Sequence, residues 1–329
     1  MVFPTYFILD GCHAYTSNKK PASIYFSGVV NLKTAEYPIG RKINVVAVKP
    51  LEDPHLYTAA IPKKNIPVYK SNLQKCVRRG LKDRAIRTTY AMMSTDLCDV
   101  LRRIPIIMIE DVLPHPSIVP LVWWMMAATK GYLLSDWEVG WILGIIHMIC
   151  DIEQYQVKNS RCKPKGELED WSNLSSLQSD LFWALEFRKA YRGMYCDVEM
   201  IEYLQRQWLG RFSNSMQRDS DDLWDMLMEI QVEPIDLSSL GVCDKNDLIL
   251  EAFDQHCFSW IPKKLGAKFP QYTEYEIKGA IWYYRSRINK RSVCKGSVSV
   301  EYIDDLELVY DVIKDELEGL CRWIFEKLV

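Results

Sequence analysis

Residues 73–130 read LQKCVRRGLKDRAIRTTYAMMSTDLCDVLRRIPIIMIEDVLPHPSIVPLVWWMMAATK. Leu73 and Val77 stand four apart, and Gly80 falls where a glycine just past the last turn ends a helix. Asp83 can cap the next helix, and Ile86, Tyr90 and Met93, at spacings of four and three, make its buried stripe. Arg84 and Arg87 fall on another face. A third helix begins at Asp96 with Leu97, Val100, Leu101 and Ile104 turned inward, and Pro105 is expected to bend it or to begin a new segment. After Glu110-Asp111, Pro114, Pro116 and Pro120 make a short rigid connection into a helix over 123–129. Gly131 and Ser135-Asp136 separate that from a helix over 137–155. The pattern predicts a compact all-α unit over residues 69–158.

Outward from this unit the character changes. Residues 1–68 carry short β-prone runs, 6–9, 23–30, 43–48 and 56–60, separated by Gly, Pro and Asn-Lys clusters. The run 43–48 is the best strand, being mostly β-branched. A small, mostly antiparallel sheet is expected, packing on the helical body or on a partner, with 63–67 as a linker. Residues 159–245 read as a helical middle region with loops: amphipathic helices over 174–191, 198–209 and 223–230, a linker over 158–169, a polar loop over 211–222 and an irregular passage over 231–244. Residues 246–329 are helical again. There Thr273 and Glu276 have the spacing of a capping box, Ile277, Ile281, Tyr284 and Ile288 line an inner face, and 301–329 forms a long terminal helix. The fold class is therefore mainly α, in the α+β sense.

Composition bounds the function. The chain has 329 residues, 48% hydrophobic and 26% charged, the balance of a folded protein, and its formal charge of −2 leaves nucleic-acid binding to local patches. No two of the ten cysteines have zinc-ribbon spacing. The start of the chain lacks the basic-then-apolar order of a secretory signal. An intracellular setting (cytoplasm, nucleus or viral factory) with reduced thiols is expected, not secretion. The longest apolar segments are about a dozen residues, short of the roughly 20 that a membrane span needs. The phosphate-loop, dinucleotide, zinc-protease and nucleophile-elbow patterns are absent from the sequence, so the expectation is a non-enzyme without a cofactor or metal.

Two basic stretches are the candidates for nucleic-acid contact. The first is Lys75, Arg78, Arg79, Lys82, Arg84 and Arg87, continued by Arg102 and Arg103. Cations on consecutive short helices can track a phosphate backbone, where charge neutralisation supplies most of the non-specific affinity. The second is Trp282, Tyr283, Arg285, Arg287, Lys290 and Arg291, in which aromatic and basic residues interleave as on single-strand-binding surfaces. Catalytic candidates are fewer. Glu110 and Asp111 could hold a divalent cation, and Asp254, His256 and Cys257 could act together only if other elements brought partners such as His115 to them. The plainer readings are an ion pair from Glu110-Asp111 back to Arg102 or Arg103, and a structural histidine beside a buried thiol.

Leu73-Gln74-Lys75, Arg78-Arg79-Gly80, the helix containing Ala85, Leu101-Arg102-Arg103-Ile104 and Ile109-Glu110-Asp111-Val112 together form a further pattern. Over residues 73–155 it resembles the C-terminal, clamp-loader-collar-like helical domain of the replication-associated recombination ATPases, the Werner-helicase-interacting group. The resemblance implies a helical module that oligomerises on DNA near replication or repair machinery. The motor of that family has no counterpart here, because the sequence contains no phosphate-loop lysine, so ATPase activity is not implied. The expected function is that of a non-catalytic nucleic-acid-associated protein that also meets protein partners or copies of itself. The alternatives are a structural subunit of a larger cellular or viral assembly, and a metal-dependent nuclease or phosphotransferase.

Overall fold

The computed structural model describes residues 3–33, 39–57, 61–156, 171, 173–191, 195–213, 218–294 and 304–328. Among them a four-stranded sheet leads into ten α-helices, the mainly α, α+β class that the residue pattern predicts. The linker expected over 158–169 lies outside the described residues, as does the end of the β-prone run 56–60.

Strands β1 (Tyr6–Asp10), β2 (His13–Ser17), β3 (Phe26–Leu32) and β4 (Arg41–Ala47) lie in the order β2-β1-β4-β3. The outer pairs are antiparallel and the central β1–β4 pair is parallel. The run richest in β-branched residues thus became an inner strand. Ile43, Val45, Val46 and Ala47 are buried, as expected where a strand is covered on both faces. The β1–β2 hairpin, unmarked in the sequence reading, closes through Gly11 at φ 67°, a backbone angle that tight two-residue turns require. The sheet rests on the helical body. The Trp123 indole N–H donates to the Phe7 carbonyl at 2.9 Å, and the Thr16 amide donates to Asp180 at 2.7 Å.

Helices α1 (Ile66–Arg79), α2 (Lys82–Asp111), α3 (Ile118–Ala128) and α4 (Asp136–Asp151) occupy the middle. The expected linker 63–67 is instead a 3-10 turn running into α1. Asp83 lies in the first turn of α2 rather than at its cap. The predicted break at Asp96 is present inside α2, where Asp96 leaves helical geometry (φ −154°, ψ 83°) and its side chain accepts from the Asp99 amide at 3.0 Å. Pro105 causes no such break, and α2 continues through it. Helix α3 is buried all round from Ile118 to Ala127, the signature of a helix at the centre of a core. At the start of α4, Glu138 is buried and satisfied. It closes a capping box with Ser135 and accepts from the Trp124 indole (2.9 Å) and the Tyr132 hydroxyl (2.7 Å).

Helices α5 (Ser176–Ala190), α6 (Tyr195–Ser213) and α7 (Arg218–Glu229) follow. Helices α8 (Ile261–Lys268), α9 (Glu274–Ile281) and α10 (Asp304–Leu328) form the last third. Thr273 and Glu276 form the predicted capping box of α9. The helix widens after Ile281 into a π-type turn over Trp282–Ser286. That extra width shifts the phase, so Ile277 and Ile281 are buried while Ile288 is exposed, against the stripe predicted for it. Short strands β5 (Gln154–Tyr155) and β6 (Ser292–Val293) pair in parallel and tie the exit of α4 to the chain beyond Arg291. One continuous apolar core runs through all four sequence regions. Among the described residues no helix is long and apolar enough to cross a membrane.

The segment 231–235 crosses α4 at two glycines. The Ile235 amide donates to the Gly140 carbonyl at 2.9 Å, and a Cβ at Gly144 would collide with the Glu233 carbonyl. Alanine is favoured over glycine by about 1 kcal/mol within a helix, yet Gly144→Ala is expected to lower stability by about 1–3 kcal/mol through overpacking. Urea unfolding measures this, and a stabilised variant would contradict the packing.

Candidate nucleic-acid interface

Helix α1 carries the first basic stretch and ends at Gly80 in the left-handed conformation (φ 65°), with the Leu81 amide closing back onto the Cys76 carbonyl at 2.9 Å. Its inward face holds Lys75 and Arg78, each only 4% exposed. A buried charge must be paired and hydrogen-bonded, and both are. The Lys75 ammonium donates to Asp254 (2.7 Å) and to the Ser71 hydroxyl (2.6 Å). Asp254 also accepts from the Ser286 hydroxyl (2.6 Å) and the His256 amide (2.9 Å), and the His256 ring lies 3.1 Å from it. Arg78 donates through Nε to Asp111 (2.6 Å), through Nη2 to Glu110 (3.1 Å) and through Nη1 to the Ser286 carbonyl (2.7 Å), and its guanidinium lies over the Trp282 ring at 5.5 Å. Gln74 joins the set by donating to Glu110 (2.8 Å) and Asp111 (2.7 Å) and accepting from Arg103.

The Glu110-Asp111 pair therefore braces Arg78 on α1, not Arg102 or Arg103 as expected from proximity in the chain. Arg102 donates to the Tyr191 carbonyl instead. The catalytic candidates are likewise engaged. Glu110 and Asp111 are held by Arg78, and Asp254 and His256 form a separate pair around Lys75. His115 is buried elsewhere, on Ser117 and the Ile230 carbonyl, and burial pushes its pKa down to about 4. Burial raises the cost of ionising Asp254, but hydrogen bonding to His256 and the charge of Lys75 outweigh it and hold the carboxyl well below the usual carboxylate range. Burial pushes the Cys257 thiol up to about 11, which leaves it protonated and poorly nucleophilic at neutral pH. Among the described residues no three His, Cys, Asp or Glu side chains gather closely enough to hold a metal ion.

The two basic stretches, some 200 residues apart in the chain, meet at the end of α1. Arg79 donates to the Arg285 carbonyl at 2.9 Å, and the Lys290 amide donates to the Arg78 carbonyl at 2.9 Å. Arg291 is buried and donates to Val77 (2.7 Å), Ile152 (2.8 Å) and Ile149 carbonyls, so one cation serves the C-terminal ends of both α1 and α4. Arg285 is also buried, with no hydrogen-bond partner for Nε and Nη2 among the described residues. Lys75, Arg78, Arg285 and Arg291 thus belong to the interior, which corrects the expectation that they face a phosphate backbone.

The others reach the surface to different degrees. Arg87 is bound by Asp247 (2.9 and 2.7 Å), whose hydrogen bond raises the arginine pKa, and Lys82 pairs with Asp151 at 2.6 Å. Arg79 is half-buried and donates only to carbonyls. Arg84 edges an open depression of about 370 Å³ lined also by Arg87, Val242, Asp244 and Asp247. Lys290 is exposed, with its ammonium against Gly80, and Arg287 lies over the Tyr283 ring at 4.9 Å. Neither Arg84, Arg287 nor Lys290 makes an ion pair among the described residues. The sequence reading missed the roles of Gln74 and Ser286. A polar residue that completes a network across 29 or more positions leaves no local mark.

The chain matches no protein-family model, and comparison with curated proteins and with solved structures gives no match either.

Asp254→Asn should cost about 3–5 kcal/mol, because it leaves the Lys75 charge buried without its counter-ion. The pH dependence follows from the depressed carboxyl. Its contribution is complete above the unfolded-state value of about 3.9 and fades as pH falls toward the folded one. The stability gap between wild type and variant should therefore narrow on acidification below about pH 4. Equal urea midpoints at pH 7 would contradict the pairing.

Proposed function

We propose that the protein is a non-catalytic nucleic-acid-associated protein that grips the phosphate backbone around the Gly80 junction. The observation that carries this reading is the convergence of two basic stretches on one short stretch of surface. Interior acids neutralise Lys75 and Arg78, while Arg287 and Lys290 at the junction, and Arg84 in the first turn of α2, make no ion pair among the described residues. Arg79, Lys82, Trp282 and Tyr283 flank them. Cations so arranged suit a sequence-independent contact, in which released counterions supply the affinity. The collar-domain resemblance over 73–155 points the same way, toward replication or repair machinery.

The test is a salt titration with duplex and single-stranded DNA and RNA. About five contacts predict a log–log slope of about −4.5 on duplex DNA, and R287Q/K290Q should reduce its magnitude by about 2. Absence of binding at about 50 mM salt, where the electrostatic contribution is strong, would refute the proposal.

A second reading, a subunit of a larger assembly, is supported by β3. It lies at the edge of the sheet, and Tyr25 and Val29 are about half exposed. An unpaired strand edge with apolar side chains is a template for pairing with another chain. Light scattering at increasing concentration would show a dimer or larger species that Val29→Lys disperses. A monomer throughout would count against self-association.

A further inference from the structure

We propose that the face where α8 meets the last turns of α10 is a stacking platform for single-stranded nucleic acid. Trp260 is 38% and Trp323 48% exposed, and their ring centroids lie 6.4 Å apart, edge to face at 89°. Beneath them Ile261, Leu265 and Ile324 are buried, which fixes both helices to the core and holds the indoles in place. The Lys264 ammonium lies 5.8 Å from each indole centroid, and that of Lys327 lies 4.2 Å from Trp323. Lys263 is exposed beside them.

The charge of this face selects the occupant. Lys264 and Lys327 have no carboxylate partner among the described residues. Glu316 is taken by Lys268, Glu318 by Arg322 and Glu274, near Lys263, by Lys278, while Glu326 is an exposed acid next to Lys327. An exposed ammonium on an indole is a weak attachment, worth about 0.5–1 kcal/mol. A base that replaces it on the ring contributes about 1–3 kcal/mol, and the displaced lysines then meet the flanking phosphates. A duplex keeps its base faces stacked on one another, so the matching ligand is a single strand with splayed bases. The inference rests on the nucleic-acid reading above for its class of ligand alone. The platform shares no residue with the Gly80 junction.

The probe is octathymidylate, followed by quenching of tryptophan emission and by anisotropy of a labelled strand. Wild type should be quenched on binding, and W260A/W323A should weaken binding about tenfold or more. K264Q/K327Q, which keeps both indoles and alters only surface lysines, should weaken it severalfold. R287Q/K290Q should leave octathymidylate quenching intact while weakening duplex binding, so the junction and the platform succeed or fail separately. Absence of quenching in wild type, or equal affinity of W260A/W323A and wild type, would overturn the platform. Co-sedimentation with phosphatidylserine vesicles, lost in W260A/W323A and unaccompanied by octathymidylate quenching, would assign the face to a membrane and overturn it as well.

Discussion

The buried cations of α1 set the arrangement of everything around them. Lys75 and Arg78 can occupy the interior only because Asp254, Asp111 and Glu110 arrive from distant parts of the chain to neutralise them. Those acids in turn bring the end of α2 and the turn at 254–257 against one helix. Ser286 bridges the two halves, its hydroxyl on Asp254 and its carbonyl on Arg78. A single polar seam thereby joins the central helices to the C-terminal third, and in it Lys75, Arg78, Asp111, Asp254 and Ser286 all have partners, the condition under which a buried network is tolerated.

Arg291 extends the same logic to the backbone. The last carbonyls of a helix have no partner within it. Here one guanidinium satisfies carbonyls at the ends of both α1 and α4, while β5 and β6 pair alongside. Four of the twelve basic candidates are interior, so the locally basic sequence overstates the cationic surface, on a chain whose 43 acids slightly outnumber its 41 bases. Arg84, Arg287 and Lys290, and Lys264 and Lys327 where α8 meets α10, make no ion pair among the described residues.

Much of the fold was legible because it depends on local signals. The glycine at the end of α1, the break at Asp96, the capping box at Thr273 and the β-branched run in β4 each act within a few residues, and each appears where expected. The parallel pairing of β1 with β4 was not legible, since it joins strands more than 30 residues apart. The phase of α9 was lost to the π-type turn, whose wider step no hydrophobic period announces. The candidate site was legible as two basic clusters. Which of their charges face inward depends on acids up to 179 positions away, and nothing near Asp254 in the chain marks it as the counter-ion of Lys75. Trp260 and Trp323 are separated by 63 residues and carried no shared motif.

Native-state amine labelling, read residue by residue by mass spectrometry, tests the division between interior and surface charge most directly. Lys75 should remain unmodified while Lys290 is labelled readily, and added nucleic acid should protect Lys290. Labelling of Lys75 as fast as Lys290, or no protection of Lys290 by a bound strand, would contradict it.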